Sequence, residues 1–134
     1  MTYSFSVKSW NLLNQEKVHP DIKRLMVEAI KDSPIDFTIL ETVRTKTKQL
    51  ENIKKGVSKT LNSRHIPECN KSGLCEAVDA IPYPINWKDL SRFRKLAEHI
   101  KKKAKELDIS ITWGGDWKTF IDMPHYELKK VNLS

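Results

Sequence analysis

Trp87, Leu90, Phe93, Ala97, Ile100, Ala104 and Leu107 recur at steps of three and four residues. An apolar stripe of that period lies along one face of an α-helix and must be covered by something else in the chain. The spacing predicts a helix over 86–107, capped by Asn86, as the backbone of the core. Much of what can cover it is strand-like: 36–43 and 75–81 are rich in apolar and β-branched residues, and Pro82 and Pro84 stop the second. Two further short strands are predicted at 109–112 and 123–128, with a tight turn at Trp113-Gly114-Gly115-Asp116-Trp117 between them. A second amphipathic helix is predicted over 20–32, with Pro20 in its first turn, Pro34 past its end, and Ile22, Leu25, Met26, Ala29 and Ile30 on one face. Residues 45–55 read as a polar helix with Leu50 and Ile53 on its buried side, closed by Gly56. Helices and strands in mixed order, without regular alternation, give an α+β class: helices packed on a small antiparallel sheet. A length of 134 residues predicts one domain, 1–134, able to bury a core without disulfides.

Composition narrows the function. The chain is 39% hydrophobic and 31% charged, which suits a folded rather than a disordered protein. No apolar run is long enough to span a membrane. The N-terminus lacks a basic segment followed by a long apolar stretch, so synthesis in the cytoplasm is expected. A net charge of +7 favours an anionic partner: nucleic acid, a membrane surface or an acidic polymer such as a cell wall. The charge gathers at 46–59 and 92–105, in segments that read as helices, so its plain reading is a solvated face. No nucleic-acid-binding motif accompanies it, and no nucleic-acid partner is expected. Cys69 and Cys75 are expected to be free thiols.

His65, Asp79 and His125 are residue types that ligate a catalytic zinc, and three protein ligands leave the fourth tetrahedral position for water. Asp122, three residues before His125, is near enough in chain to act on that water as a general base and then to pass a proton to a leaving amine. Glu127 falls on the same strand face as His125, as an orienting partner or an alternative base. Each residue also has a plain structural reading, because this spacing is no standard local motif. His19, before a helix-starting proline, and His99, on a charged helix, read as structural.

The phrases around these residues add to the case. Ser63-Arg64-His65, Ala77-Val78-Asp79, Trp113-Gly114-Gly115-Asp116-Trp117 and Asp122-Met123-Pro124-His125 occur in the order of the M15 zinc peptidases, which the chain resembles over nearly its whole length. Glu41-Thr42-Val43-Arg44, Gln49 and the opening Ser4 to Leu13 are also similar to that family, the opening to its phage members. The resemblance implies a Hedgehog/DD-peptidase-like fold, zinc held by His65, Asp79 and His125, Asp122 as the catalytic carboxylate, and Arg44 holding substrate or stabilising the oxyanion. It also implies that Ser63, Trp113 and Asp116 line the substrate site. The expected activity is that of a phage endolysin: hydrolysis of the L-alanyl-D-glutamate bond in peptidoglycan stem peptides, by a monomer released from the host cytoplasm to the cell wall through a holin. The alternatives are a D-alanyl-D-alanine carboxypeptidase and a non-catalytic zinc-binding module of the same fold. One departure stands out. His65 and Asp79 are fourteen positions apart, against seven in the family, and the extra residues lie within 66–74. Their Asn, Lys, Ser and Gly content predicts an exposed, mobile rim beside the metal.

Overall fold

A computed structural model describes residues 2–58, 60 and 62–129. Among them the chain forms helices α1 (Val7–Leu13), α2 (Pro20–Lys31), α3 (Lys46–Lys54) and α4 (Leu90–Glu106), and strands β1 (Phe37–Glu41), β2 (Ala77–Pro82), β3 (Ile111–Trp113) and β4 (His125–Leu128). The strands make one antiparallel sheet in the order β1-β2-β4-β3. This is the α+β arrangement the sequence predicts.

The pleat of β2 and β4 divides the molecule. Val78, Ala80, Tyr126 and Leu128 face the helical layer and join the core. There they meet Ile22, Leu25, Met26 and Ala29 of α2 and Leu96, Ala97, Ile100 and Ala104 of α4. Truncating a fully buried residue such as Leu96 to alanine costs about 2–5 kcal/mol in cores of this kind. The alternate positions, Asp79, His125 and Glu127, point to the opposite face.

Two local expectations are corrected, and one helix was not predicted. The predicted helix over 86–107 begins only at Leu90, with Asp89 at its N-cap. Asn86 instead closes a turn upstream, accepting from the backbone N–H of Lys88 at 3.1 Å. Trp87 and Leu90 are therefore exposed, and Trp87 lies against Phe93 with ring centroids 5.9 Å apart. In α3 the buried residue is Gln49, and Leu50 is exposed, because this helix packs around a polar network rather than an apolar face. The unpredicted helix is α1, which carries no long apolar stripe. Ser6 caps it, and the buried Ser9 hydroxyl accepts from Ile39 N–H at 3.0 Å and meets the Thr38 hydroxyl at 2.9 Å.

β1 carries an irregularity that matters for the site. Ile39 pairs with Ala80 but Glu41 pairs with Asp79, so Leu40 is an extra residue in the ladder. A bulge of this kind re-aims the side chains next to it. Here it sets Glu41 opposite Asp79.

Candidate active site

Asp79 and His125 are register partners across β2 and β4. Facing side chains in such a pair have Cβ atoms about 4.5–5.5 Å apart, so the sheet itself brings a carboxylate and an imidazole together. His65 arrives from the loop before β2. Its carbonyl accepts from Arg44 N–H at 3.0 Å, which ties the loop to the end of β1. Its Nε2 lies 3.1 Å from Asp79 Oδ1, and His125 Nδ1 lies 3.3 Å from the same oxygen.

The three ligand atoms lie within 4.8 Å of one another. Tetrahedral zinc with bonds of about 2.0–2.1 Å separates its donors by about 3.3–3.4 Å, so the group fits the ion with little adjustment. The second ring nitrogens are also committed. His65 Nδ1 donates to the Thr42 carbonyl at 2.6 Å, and His125 Nε2 donates to Glu127 Oε1 at 2.7 Å. Those bonds fix the tautomers and turn His65 Nε2 and His125 Nδ1 toward Asp79.

Electrostatics tell the same story. Burial disfavours a charged His65, but the hydrogen bond to Asp79, helped by the Cys75 thiol, outweighs it and lifts the pKa to about 10. His125 is raised in the same way: burial opposes the charge, while Asp79 and Glu127 favour it. Burial pushes the Asp79 carboxyl up, yet hydrogen bonds from both imidazoles hold it well below the usual carboxylate range. Without a metal the Asp79 carboxylate holds protons on both imidazoles, and a divalent cation would take the place of those protons among the same three side chains.

Asp122 sits in the turn that leads into β4. Its carbonyl accepts from His125 N–H at 3.2 Å, and its own N–H donates to the Gly114 carbonyl at 3.1 Å. Burial raises its pKa, and the charge of Asp79 adds to that. A carboxylate displaced upward is better matched to taking and returning a proton near neutrality. Gly114 is the seat of this turn. A Cβ there would stand 2.3 Å from the Asp122 carbonyl and 3.1 Å from His125 Cβ, so only glycine fits. Trp113 Nε1 donates to the Met123 carbonyl at 2.6 Å and braces the turn from the core side.

Arg44 is held as a rigid fork. Its Nε and Nη2 donate to Glu41 Oε1, and its Nη1 donates to Gln49 Oε1 at 2.8 Å. Gln49 is itself fixed by donating to the Ser58 hydroxyl at 2.7 Å and the Thr60 carbonyl at 2.6 Å. The Arg44 charge acts on both His65 and Asp122.

Of the remaining predicted residues, Ser63 spends its hydroxyl on the backbone N–H of His65 at 3.2 Å, in the turn that delivers that histidine. Trp113 is buried on the core side, and the Asp116 carboxylate pairs with Lys101 of α4. Sequence reading missed Trp117, whose ring lies 5.1 Å from that of His125, and Arg64, whose guanidinium lies 3.7 Å from Glu127. The signal for Trp117 was present in the second aromatic of its turn. Thr42 acts through its carbonyl and leaves no trace in residue type. His19 and His99 are structural, as read: one caps α2, and the other contacts the Ala29 carbonyl at 2.8 Å.

The segment over 66–74 is a laced loop, exposed as expected at Glu68, Lys71, Ser72 and Gly73. Ile66 and Pro67 are buried, and Asn70 Nδ2 donates to the carbonyls of Arg64 at 2.9 Å and Leu74 at 2.8 Å, lacing the loop across its neck. Its exit is pinned to the N-terminal segment, where Cys75 N–H donates to Lys17 O at 2.7 Å and His19 N–H to Cys75 O at 2.9 Å. Cys69 and Cys75 are free thiols.

Known proteins are similar to this chain in sequence and in fold. The chain is 32% identical over 124 residues to the L-alanyl-D-glutamate peptidase of Escherichia phage T5, covering 87% of each. It is 30% identical over 122 residues to the L-alanyl-D-glutamate peptidase of Listeria phage A118, of whose length it spans 41%. The crystal structure of the Serratia marcescens L-Ala D-Glu endopeptidase ChiX superposes with a TM-score of 0.79 at 32% identity, over 94% of this chain and 90% of that one. The model of the phage L-alanyl-D-glutamate peptidases matches residues 1–131. Sequence and fold thus agree that the chain belongs to the phage L-alanyl-D-glutamate peptidase family.

Proposed function

We propose that the protein is a zinc endopeptidase that hydrolyses the L-alanyl-D-glutamate bond of peptidoglycan stem peptides, working as a monomer with one catalytic domain over 1–134. The observation that carries this reading is the meeting of His65, Asp79 and His125, with Asp122 bonded through its backbone to the last of them. When bound, zinc supplies Lewis acidity toward the scissile carbonyl and a lowered pKa for water. Asp122 takes a proton from the attacking water as its oxygen bonds to the alanyl carbon. It returns that proton to the glutamyl nitrogen as the carbon–nitrogen bond breaks, so one carboxyl serves as base and then as acid. Arg44, braced by Glu41 and Gln49, offers preset N–H donors to the carbonyl oxygen as it gains charge.

The names of the relatives support this choice of bond, and the net charge of +7 suits an anionic wall. Among the described residues no helix is long and apolar enough to cross a membrane. Delivery from the host cytoplasm to the wall would then depend on a holin.

The test is digestion of a synthetic stem peptide by chelator-stripped and zinc-restored protein, read by mass spectrometry. The reading predicts fragments ending in L-alanine and beginning with D-glutamate, only with zinc present. Release of terminal D-alanine alone would make the enzyme a carboxypeptidase. Intact peptide with zinc bound would make it a non-catalytic module.

A further inference from the structure

The three candidate ligands come from three separate segments, and one largely buried side chain ties those segments together. Arg64 precedes His65, and its side chain is only 12% exposed. Its Nη2 donates to Glu76, three residues before Asp79, and to the Leu128 carbonyl at 2.9 Å, three residues after His125. Its Nη1 has no hydrogen-bond partner among the described residues and lies 3.7 Å from Glu127 Oε2. The other Glu127 oxygen accepts from His125 Nε2 at 2.7 Å. The backbone repeats the link, since Glu76 N–H donates to Arg64 O at 3.0 Å and Leu128 N–H to Glu76 O at 2.9 Å.

We propose that Arg64 is the positioning residue of the metal centre: through Glu127 it holds His125 in its ligating tautomer, and through Glu76 and Leu128 it locks together the segments that carry His65, Asp79 and His125. A guanidinium suits the task because its fork reaches several acceptors in fixed directions, whereas an ammonium is a single point charge. Partners that orient ligating histidines commonly contribute 10–100-fold in metal affinity. Arg64 touches neither the metal position nor the water, so its effect falls on metal retention before chemistry.

The proposal rests on the zinc reading above, and the test separates the two. Zinc affinity is measured by competition with a chromogenic chelator for wild type, His125→Ala, Arg64→Met, Arg64→Lys, Glu127→Gln and the Arg64→Lys/Glu127→Gln double variant, with circular dichroism of each metal-free form. Arg64→Met is expected to bind zinc about 10–100-fold more weakly, with Arg64→Lys recovering only part of the loss. In the double variant, Arg64→Lys should cost less than it does alone, because both changes break the same relay. Should Arg64→Met fail to fold, the cycle of Arg64→Lys and Glu127→Gln carries the test. Wild-type affinity in Arg64→Lys, or losses that add fully in the double variant, would overturn the proposal while leaving the zinc site intact. Equal affinity in wild type and His125→Ala would overturn the zinc reading and this proposal together.

Discussion

His65 and His125 each give one ring nitrogen to the protein and turn the other toward Asp79, and both have raised pKa values. Each must lose a proton to ligate a metal, so zinc affinity should climb with pH through neutrality and level off as pH approaches the His65 value of about 10. Competition assays between about pH 6 and about pH 8 should show roughly a tenfold gain per pH unit for each proton displaced. Flat affinity would mean that these imidazoles are not the ligands. The metal-free protein should respond in the opposite sense: a raised imidazole pKa stabilises the fold below the unfolded value and is lost as pH rises through the folded one. Asp122→Asn should keep its zinc and lose about 10²–10⁴-fold in turnover. Since burial raises the Asp122 pKa, the acid limb of kcat/KM should lie above the ordinary carboxylate range. Near wild-type turnover in Asp122→Asn would move the proton transfer to another group. Residue type and spacing left each candidate ligand a plain structural reading, and the phrases around His65, Asp79 and His125 made the group legible. The partners that set their tautomers were only half legible. Glu127 could be found by strand alternation, but the Thr42 carbonyl could not, since any residue supplies one.

At the level of elements, the turn that carries Asp122 is held by packing that one methyl group would disturb. Gly114→Ala places Cβ against the Asp122 carbonyl and beside His125 Cβ, so Asp122 and the start of β4 must shift. Misplacing catalytic groups by about 1 Å can cost about 10²-fold. Gly114→Ala should therefore lose activity well beyond its loss of thermal stability; unchanged kcat/KM would show that the turn does not set the geometry. The periodic helices α2 and α4 were readable because burying a continuous stripe leaves a period in the sequence. α1 and α3 were less so. They are fixed by buried polar residues: Ser9, whose partners Thr38 and Ile39 lie far away in the chain, and Gln49, which is laced to Arg44, Ser58 and Thr60 around its own helix. The bulge at Leu40 depends on cross-strand register, which a linear reading does not contain. The loop over 66–74 looked mobile by composition, but its Asn70 lacing needs three dimensions to be seen.

The whole molecule carries a net charge of +7 on a sheet whose site face is lined with acidic and imidazole groups. Part of the basic run on α4 is already engaged: Lys103 is paired with Asp32 at 2.7 Å and Glu106 at 3.1 Å, and Lys101 with Asp116. Lys95, Lys102 and Lys105 are exposed and better placed to meet an anionic wall. Reversing these three to glutamate should weaken salt-sensitive binding to intact sacculi while sparing cleavage of a short soluble peptide. Equal loss on both substrates would mean that the charge serves the site or the fold instead. Everything proposed for the reaction depends on the metal centre, and anomalous scattering at the zinc edge from crystals of the zinc-loaded protein reads it without intermediaries. A centre built from these ligands gives one strong peak per chain, within bonding distance of His65 Nε2, Asp79 Oδ1 and His125 Nδ1. A peak elsewhere, or none at these three atoms, would contradict it.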